Sequence, residues 1–250
     1  MSDDLGLIIG SGLAALGPRI VASETVETRF GAPSSPVMTV EIENHRVACI
    51  ARHGSAHSIA PHEVNYRANV WALHEAGVRR LIAVNVVGAI GAGFAPGDLA
   101  VPDQLIDYTS GRESTYGGDD FESLHVEFTE PFDPVLRGQI AVAAVACGHS
   151  IRRGVYAVMQ GPRLETAAEI DRLERDGCTM VGMTAMPEAV LARELGVDYA
   201  LLAVAVNYAA GRSPGAAPIH GQIRKSMADG MARVTQLLAR LVPELLRGTS

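Results

Sequence analysis

A glutamate, Glu165, lies where a strand-like run meets a Gly-Pro turn and a helix begins, within residues 160–169. It follows Gly161-Pro162 and the apolar Leu164. An ionised carboxylate only accepts hydrogen bonds, so a ligand beside Glu165 must offer it a donor. Glu165 is therefore a candidate for the residue that selects the ligand.

A permanent cation and two imidazoles follow an apolar run: Arg52, His53 and His57. An arginine can grip two phosphate oxygens at once, so this segment predicts a phosphate site. The spacing of the histidines is also that of a zinc helix, but Gly54 and Ser55 favour a loop and the glutamate of His-Glu-x-x-His is missing. We therefore expect no metal, and purely structural histidines stay open as an alternative.

The turn Gly10-Ser11-Gly12 follows a buried-strand pattern and fits the start of a dinucleotide fingerprint. Gly17-Pro18 ends the next helix after about one turn, whereas a pyrophosphate needs a full helix. The Ser11 hydroxyl and backbone N–H groups could hold a smaller anion. A plain tight turn is the alternative.

Three more polar side chains, Asn85, Thr184 and Asn207, interrupt or follow apolar runs. Ligands of α/β sheets collect at the carboxyl ends of strands. A local turn or helix cap could also explain Asn85 and Thr184. Together with Ser11 and Arg52, they predict a site for one small anion.

The elements that must position these residues alternate between strand-like and helical patterns. Apolar runs at 5–9, 80–86, 99–105, 154–159, 179–183 and 199–206 predict strands, and 38–51 predicts a hairpin. Helices are predicted at 65–76 and about 222–241. This order predicts an α/β fold with a mixed sheet flanked by helices, as a single domain over residues 1–250. The irregular polar segment 111–120 predicts a functional or interface loop.

Composition limits the partners. The net charge of -7 gives no basic surface for nucleic acid or anionic membranes, so a small molecule is the expected partner. Three widely spaced cysteines, an acidic N-terminus and the lack of an apolar run of about 18 residues predict a cytoplasmic protein.

Several segments in the same order resemble the purine nucleoside and methylthioadenosine phosphorylases, the trimeric nucleoside phosphorylase family: residues 10–13, 51–54, 64–73, 96–98, 161–163 and 183–188. The resemblance covers essentially the whole chain. It implies a partly barrel-like mixed sheet, a homotrimer, and reversible phosphorolysis in which phosphate attacks the anomeric carbon and a purine leaves. Phosphate would be a co-substrate, and no metal or organic cofactor would be needed.

The resemblance also implies residue roles. Phosphate would be bound by Ser11, Arg52, His53, the backbone of Asn85 and Val86, and Thr184. Met183 would lie against the ribose and Leu164 would cover the base, with Tyr208 and Ala209 beside Asn207 in the substrate site. His53, Glu165 and Asn207 would be the catalytic group.

Glu165 and Asn207 distinguish the base. A 6-oxopurine carries a proton on N1 that Glu165 can accept, whereas a 6-aminopurine has a lone pair there. The methylthioadenosine branch usually has a serine at this position and two aspartates where this chain has Asn207 and Ala209. Asn207 can donate to O6 or N7 of the leaving base. We therefore expect hypoxanthine-type bases.

The 5' group has two interpretations. His125 resembles a histidine that methylthio-nucleoside phosphorylases lend to a neighbouring subunit, which favours S-methyl-5'-thioinosine. His220, with Ile223 one turn later, matches a 5'-hydroxyl partner of inosine phosphorylases and favours inosine or guanosine. We favour S-methyl-5'-thioinosine as the substrate, then inosine or guanosine, and we expect methylthioadenosine less than either. A nicotinamide-dependent oxidoreductase and a non-catalytic nucleoside-binding protein are the alternatives from other classes.

Overall fold

The computed structural model describes residues 4–12, 16–91, 93–117, 125–214 and 219–247, with the side chains of 219–222 and 224–225 excepted. Within these ranges eleven strands form one mixed sheet. The strands are β1 Leu5–Ile9, β2 Arg19–Glu24, β3 Val37–Ile42, β4 His45–Ala51, β5 Arg80–Ala89, β6 Leu99–Ala100, β7 Gln104–Asp107, β8 Ile151–Arg152, β9 Val155–Val158, β10 Cys178–Gly182 and β11 Asp198–Tyr208. The helices are α1 Tyr66–Glu75, α2 Pro134–Ala146, α3 Ala167–Arg175, α4 Ala185–Glu194 and α5 Ile219–Leu246.

Strand β5 is the centre of the sheet because it pairs with three other strands. β11 runs parallel to it along its whole length. On its other edge, β1 pairs in parallel only as far as Val84, and β10 pairs antiparallel only at Gly88 and Ala89. Residues 85–87 therefore face a gap between β1 and β10. Such a divergence of neighbouring strands is where α/β sheets place their ligands.

Apolar layers cover both faces of the sheet. On one face α5 buries Met231, Val234, Leu238 and Leu241, the stripe that the sequence predicts. On the other face α1 and α4 pack against each other and against the strands. Burying each large apolar side chain stabilises the fold by about 1.5–3 kcal/mol, so both layers hold β5 firmly.

Local signals explain the element boundaries near the gap. Asn65 caps α1 by accepting a hydrogen bond from the Ala68 N–H at 3.1 Å. Thr166 and Glu169 form a capping box at the start of α3. These caps fix where each helix begins relative to the strand before it.

The predicted fold class, a mixed sheet flanked by helices, is confirmed, and so is the hairpin, with Asn44 at φ 64°. The predicted strand 99–105 is instead two strands, β6 and β7, separated at a segment that contains Pro102, which has no N–H for the ladder. Strand β2 was not predicted because all six of its side chains are exposed. No helix in the described ranges has the length and apolar character to cross a bilayer.

Candidate active site

A cavity of about 670 Å³ opens at the gap beside β5. Its wall is formed by residues of β5, β10 and β11, by the residues that directly follow β1, β4 and β10, by the loop 57–61, by the Gly-Pro turn before α3, and by α5. The predicted residues in this wall are Ser11, Arg52, His53, Val86, Leu164, Glu165, Met183, Thr184, Asn207 and Ile223. Residues spread over more than 200 positions of sequence thus meet in one site.

The Arg52 guanidinium is almost completely buried and donates to four oxygen atoms of three residues. It pairs with both oxygens of Glu188, with Nη2 at 2.9 Å from Oε2, and it also donates to Asn85 Oδ1 at 2.8 Å and Val84 O at 3.3 Å. These bonds use four of its five N–H groups and leave one on Nη1 without a partner among the described residues. A Cβ on Gly10 would lie 2.7 Å from Nη1, so glycine is needed there.

Glu188 balances the Arg52 charge inside the protein. It is 0% exposed and also accepts a hydrogen bond from the Tyr199 hydroxyl at 3.0 Å. Burial alone would lower the pKa of Arg52, but the charge of Glu188 and the hydrogen bonds to it outweigh burial and raise it. The guanidinium is therefore a fixed cation at the cavity wall.

Asn85 connects Arg52 to Thr184. Its Oδ1 accepts from Arg52, and its Nδ2 donates to Thr184 Oγ1 at 2.9 Å. Asn85 itself is buried behind the wall and does not line the cavity. Thr184 precedes α4 but makes no side-chain capping bond, so its O–H can donate to a ligand.

His53 is neutral and presents an acceptor nitrogen. Its Nδ1 lies 2.9 Å from the Ile59 carbonyl, which can only accept, so Nδ1 carries the proton. Burial and the positive charge of Arg52 lower the pKa of His53 to about 4. The remaining nitrogen, Nε2, therefore accepts a hydrogen bond, as a protonated phosphate oxygen would offer.

His57 lies in the same wall and contacts Ser11. Its Nε2 is 2.9 Å from Ser11 Oγ. The segment between His53 and His57 is a series of turns, as Gly54 and Ser55 predict, and His57 has a φ of 52°. Within the described ranges, no group of three or more His, Cys, Asp or Glu side chains is arranged to hold a metal ion.

Glu165 and Asn207 present hydrogen-bonding groups to the cavity. No side chain in the described part of the chain donates to the Glu165 carboxylate, and burial raises its pKa. Asn207 is 8% exposed and donates one Nδ2 hydrogen to Tyr208 O at 2.7 Å, which leaves a second N–H and Oδ1. This pair can accept from one ligand atom and donate to another.

Three other predicted residues do not line the cavity, and the side chain of a fourth is outside the described part of the chain. Tyr208 and Ala209 do not line the cavity, and Ala209 packs in a buried cluster with Ile90 and Val181. His125 is exposed and does not line the cavity of its own chain. His220 lies at the start of α5, and its side chain is outside the described part.

Several residues of the site were not predicted from the sequence. Glu188 and Tyr199 were not singled out, and His57 was considered as a metal ligand or a structural histidine and was given no role of its own in the phosphate site. Glu188 lies in the segment 183–188 that carried the resemblance, and a glutamate among the apolar residues 185–192 is the signal that could have identified it. Met227 lines the cavity one turn after Ile223, and both belong to the apolar stripe that the sequence predicts for α5.

Comparisons with known proteins agree with this geometry. The family model described as "Phosphorylase superfamily" matches residues 4–244. A probable S-methyl-5'-thioinosine phosphorylase of Pseudomonas syringae pv. tomato is 48% identical over 240 residues, covering 94% of this chain and 97% of the relative. A 6-oxopurine nucleoside phosphorylase of Pyrococcus furiosus is 41% identical over 246 residues, covering 96% and 92%.

Solved structures are similar as well. A methylthioadenosine phosphorylase from Schistosoma mansoni in complex with adenine superposes with a TM-score of 0.89 at 30% identity, covering 96% of this chain and 91% of the other. The resemblance stated from the sequence is thus confirmed, and the chain belongs to the phosphorylase superfamily, as a nucleoside phosphorylase of the purine type.

Proposed function

We propose that the protein catalyses the reversible phosphorolysis of a 6-oxopurine nucleoside, with S-methyl-5'-thioinosine as its main substrate. The products are hypoxanthine and 5-methylthioribose 1-phosphate. The observation that carries the proposal is that Glu165 and Asn207 line the same cavity as Arg52, His53 and Thr184. Relatives with probable methylthioinosine phosphorylase names, 48–51% identical, support it.

The anion-binding groups suit inorganic phosphate. The fixed charge of Arg52, the Thr184 hydroxyl and the Ser11 hydroxyl can each donate, while His53 Nε2 can accept from the one protonated oxygen of HPO₄²⁻. Because these groups are fixed before the ligand arrives, little reorganisation is needed on binding. We propose that Val86, at the gap, supports phosphate through its backbone.

The base-binding groups suit a 6-oxopurine. N1–H of hypoxanthine donates to Glu165, and Asn207 Nδ2 donates to O6 or N7 as negative charge builds on the leaving base. A 6-aminopurine would place a lone pair at N1 against the carboxylate. A site built around such a hydrogen bond can discriminate by up to about 10⁴–10⁵.

In the reaction a phosphate oxygen forms a bond to the anomeric carbon as the C1'–N9 bond breaks. The electrons of that bond pass to the purine, which takes up one proton as it leaves. The sugar is oxocarbenium-like at the transition state, and the phosphate charge beneath it is stabilising. Holding both reactants in one cavity removes much of the entropic barrier. We propose that no metal or organic cofactor takes part, so dialysis against a chelator should leave the rate unchanged.

Apolar side chains in the wall favour the thioether. Val206, Ile223 and Met227 line the cavity and offer no hydrogen bond to a 5'-hydroxyl. A second candidate, a general inosine and guanosine phosphorylase, is favoured by Ser58, a polar residue in the same wall. The Pyrococcus furiosus relative, named a 6-oxopurine nucleoside phosphorylase, supports this candidate too.

The test is base release from methylthioinosine, inosine and methylthioadenosine, each with and without phosphate. We expect phosphate-dependent release, with kcat/KM highest for methylthioinosine and at least about a hundredfold lower for methylthioadenosine. Base release at the same rate with and without phosphate would contradict the proposal. Binding without turnover would favour a nucleoside-binding protein. Stabilisation by NAD and not by phosphate in a melting experiment would favour an oxidoreductase.

We also propose a cytoplasmic homotrimer in which His125 reaches a neighbouring site. The exposed position of His125, outside its own cavity, supports this arrangement. Light scattering should give three times the chain mass, and His125→Ala should raise KM for methylthioinosine more than for inosine. A monomeric mass with full activity would contradict the trimer, and cell fractionation tests the compartment.

A further inference from the structure

The loop 109–117 carries a guanidinium that contacts two strand ends at once. This loop follows β7 and overlaps the irregular segment 111–120 predicted from the sequence. Residues 118–120 of that segment lie outside the described part. Its Arg112 is partly buried and makes hydrogen bonds to oxygens of five residues from other elements. None of the roles discussed above uses it.

The first set of bonds fixes the end of β9. Arg112 Nη2 donates to Gln160 O at 2.9 Å and to Met159 O at 3.4 Å, and Nε donates to Gln160 Oε1 at 3.2 Å. Gln160 leads directly into the turn that places Leu164 and Glu165 in the cavity wall. The carboxylate proposed to read the base is thus five residues from an arginine anchor.

The second set fixes the end of β10. Nη1 donates to Met183 O at 2.7 Å and to Met186 O at 2.6 Å, and it lies 3.3 Å from the Tyr66 hydroxyl. The guanidinium also lies 5.4 Å from the centre of the Tyr66 ring. Met183 and Thr184, both in the cavity wall, therefore belong to the same hydrogen-bonded unit as Gln160.

The chemistry of these partners shows what Arg112 does. In the described ranges no carboxylate lies within ion-pair distance of it, so its charge interacts mainly with carbonyl dipoles. A planar guanidinium with five donors can fix several carbonyls at set angles, whereas a lysine ammonium cannot. Within the described part of the chain, Arg112 thus joins two strand ends and neutralises no carboxylate.

We infer that Arg112 is a positioning residue, which sets the distance between the turn carrying Glu165 and the segment carrying Met183 and Thr184. This inference rests on the proposed function of the cavity. Reacting groups displaced by about 1 Å can lose about a hundredfold in rate. Loss of Arg112 should therefore act on the nucleoside, whose base and ribose both contact the joined segments.

The test compares Arg112→Ala with Arg112→Lys and with a control, Arg67→Ala. Arg67 pairs with Glu113 of the same loop at 3.3 Å but is not among the residues that line the cavity. For Arg112→Ala we expect nucleoside KM to rise and kcat to fall, together lowering kcat/KM about tenfold to a hundredfold. Phosphate KM should rise less than nucleoside KM, because Arg52 and His53 are held by other elements and Thr184 is the one proposed phosphate ligand in the joined segment.

Chemical rescue separates positioning from general damage. Millimolar guanidinium chloride should restore part of the kcat/KM of Arg112→Ala, while equal sodium chloride should not. Arg112→Lys should keep the fold and still show the raised nucleoside KM, which tests the inference even where the alanine variant does not fold.

An unchanged nucleoside KM in folded Arg112 variants, or an equal loss in Arg67→Ala, would overturn the inference. Wild-type protein that releases no base from any nucleoside would instead overturn the proposed function. The two failures are therefore distinguishable in one set of measurements.

Discussion

Replacing Glu188 by glutamine tests whether the buried ion pair holds Arg52 in place. Arg52 and Glu188 are 1% and 0% exposed, so neither charge is solvated. Glutamine keeps the shape and one acceptor oxygen but removes the charge. The Arg52 guanidinium would then be a buried cation without its counter-ion, and Tyr199 would lose its charged acceptor.

The size of the effect follows from burial. Removing one partner of a fully buried pair costs about 3–5 kcal/mol, because the other charge stays desolvated. One acceptor oxygen remains in glutamine, so we expect the lower part of that range, about 3 kcal/mol. For a chain of this length, each kcal/mol lowers Tm by about 2–4 °C, which gives a fall of about 6–12 °C.

An exposed ion pair provides the matched control. Arg240 Nε lies 2.6 Å from Glu244 Oε1, and these side chains are 56% and 33% exposed. Water solvates both charges there, so Glu244→Gln should change the free energy of unfolding by less than about 0.5 kcal/mol. The comparison uses urea unfolding of both variants, followed by circular dichroism. Phosphate KM is measured under conditions in which both variants are folded.

Two results decide the case. If Glu188→Gln is no more destabilised than Glu244→Gln, the buried pair does not hold Arg52 and the reasoning is refuted. The double variant Arg52→Met/Glu188→Leu should recover most of the stability, since a well-packed apolar pair can replace a buried ion pair. It should still have lost phosphate-dependent turnover, which separates folding from function.

Three further predictions concern the cavity wall. The pKa of His53 falls from its usual 6.5 to about 4 in the folded chain, so the unfolded chain binds more protons between these pH values. The free energy of unfolding should therefore fall as pH drops from about 6.5 to 4. His53→Gln should flatten this pH dependence in denaturant titrations, and an unchanged pH dependence would contradict the assignment. Glu165→Ser with Asn207→Asp should move the substrate preference toward 6-aminopurine nucleosides, and an unchanged ratio of kcat/KM values would show that the base contacts are misassigned. His57→Ala should raise phosphate KM about fivefold, since a hydrogen bond of about 1 kcal/mol orients Ser11. Adding Ser11→Ala should bring little further loss, and full additivity would argue against the coupling.

Much of the fold could be predicted because the central strands are mostly apolar. β5 is apolar except for Arg80 and Asn85, β11 is apolar between Asp198 and Asn207, and the Asn44 turn marks the hairpin. Strand β2 could not be found this way, since an edge strand with exposed side chains is held by backbone pairing with β3 and not by burial. The gap at residues 85–87 also left no sequence signal, because it depends on where β1 and β10 stop pairing.

The candidate site could be predicted in part for a similar reason. Polar residues at the ends of apolar strands, such as Arg52 and Asn207, stand out in the sequence. The partners that fix them do not, since Glu188 lies 136 positions from Arg52. The proposed 5' region is harder still, because it combines a helix face with His125, which does not line the cavity of its own chain and belongs to the site only in the proposed trimer.

The segment 183–188 shows how the two halves of the site are joined. Arg112 holds it from one side through the carbonyls of Met183 and Met186, while Glu188 holds Arg52 on the other. Between these anchors the Thr184 hydroxyl accepts from Asn85. The two arginines are stabilised differently, one by a buried carboxylate and one by carbonyl dipoles, so substitutions can disturb them separately. Under the proposed function, this segment of six residues therefore links the phosphate site to the turn that carries Glu165.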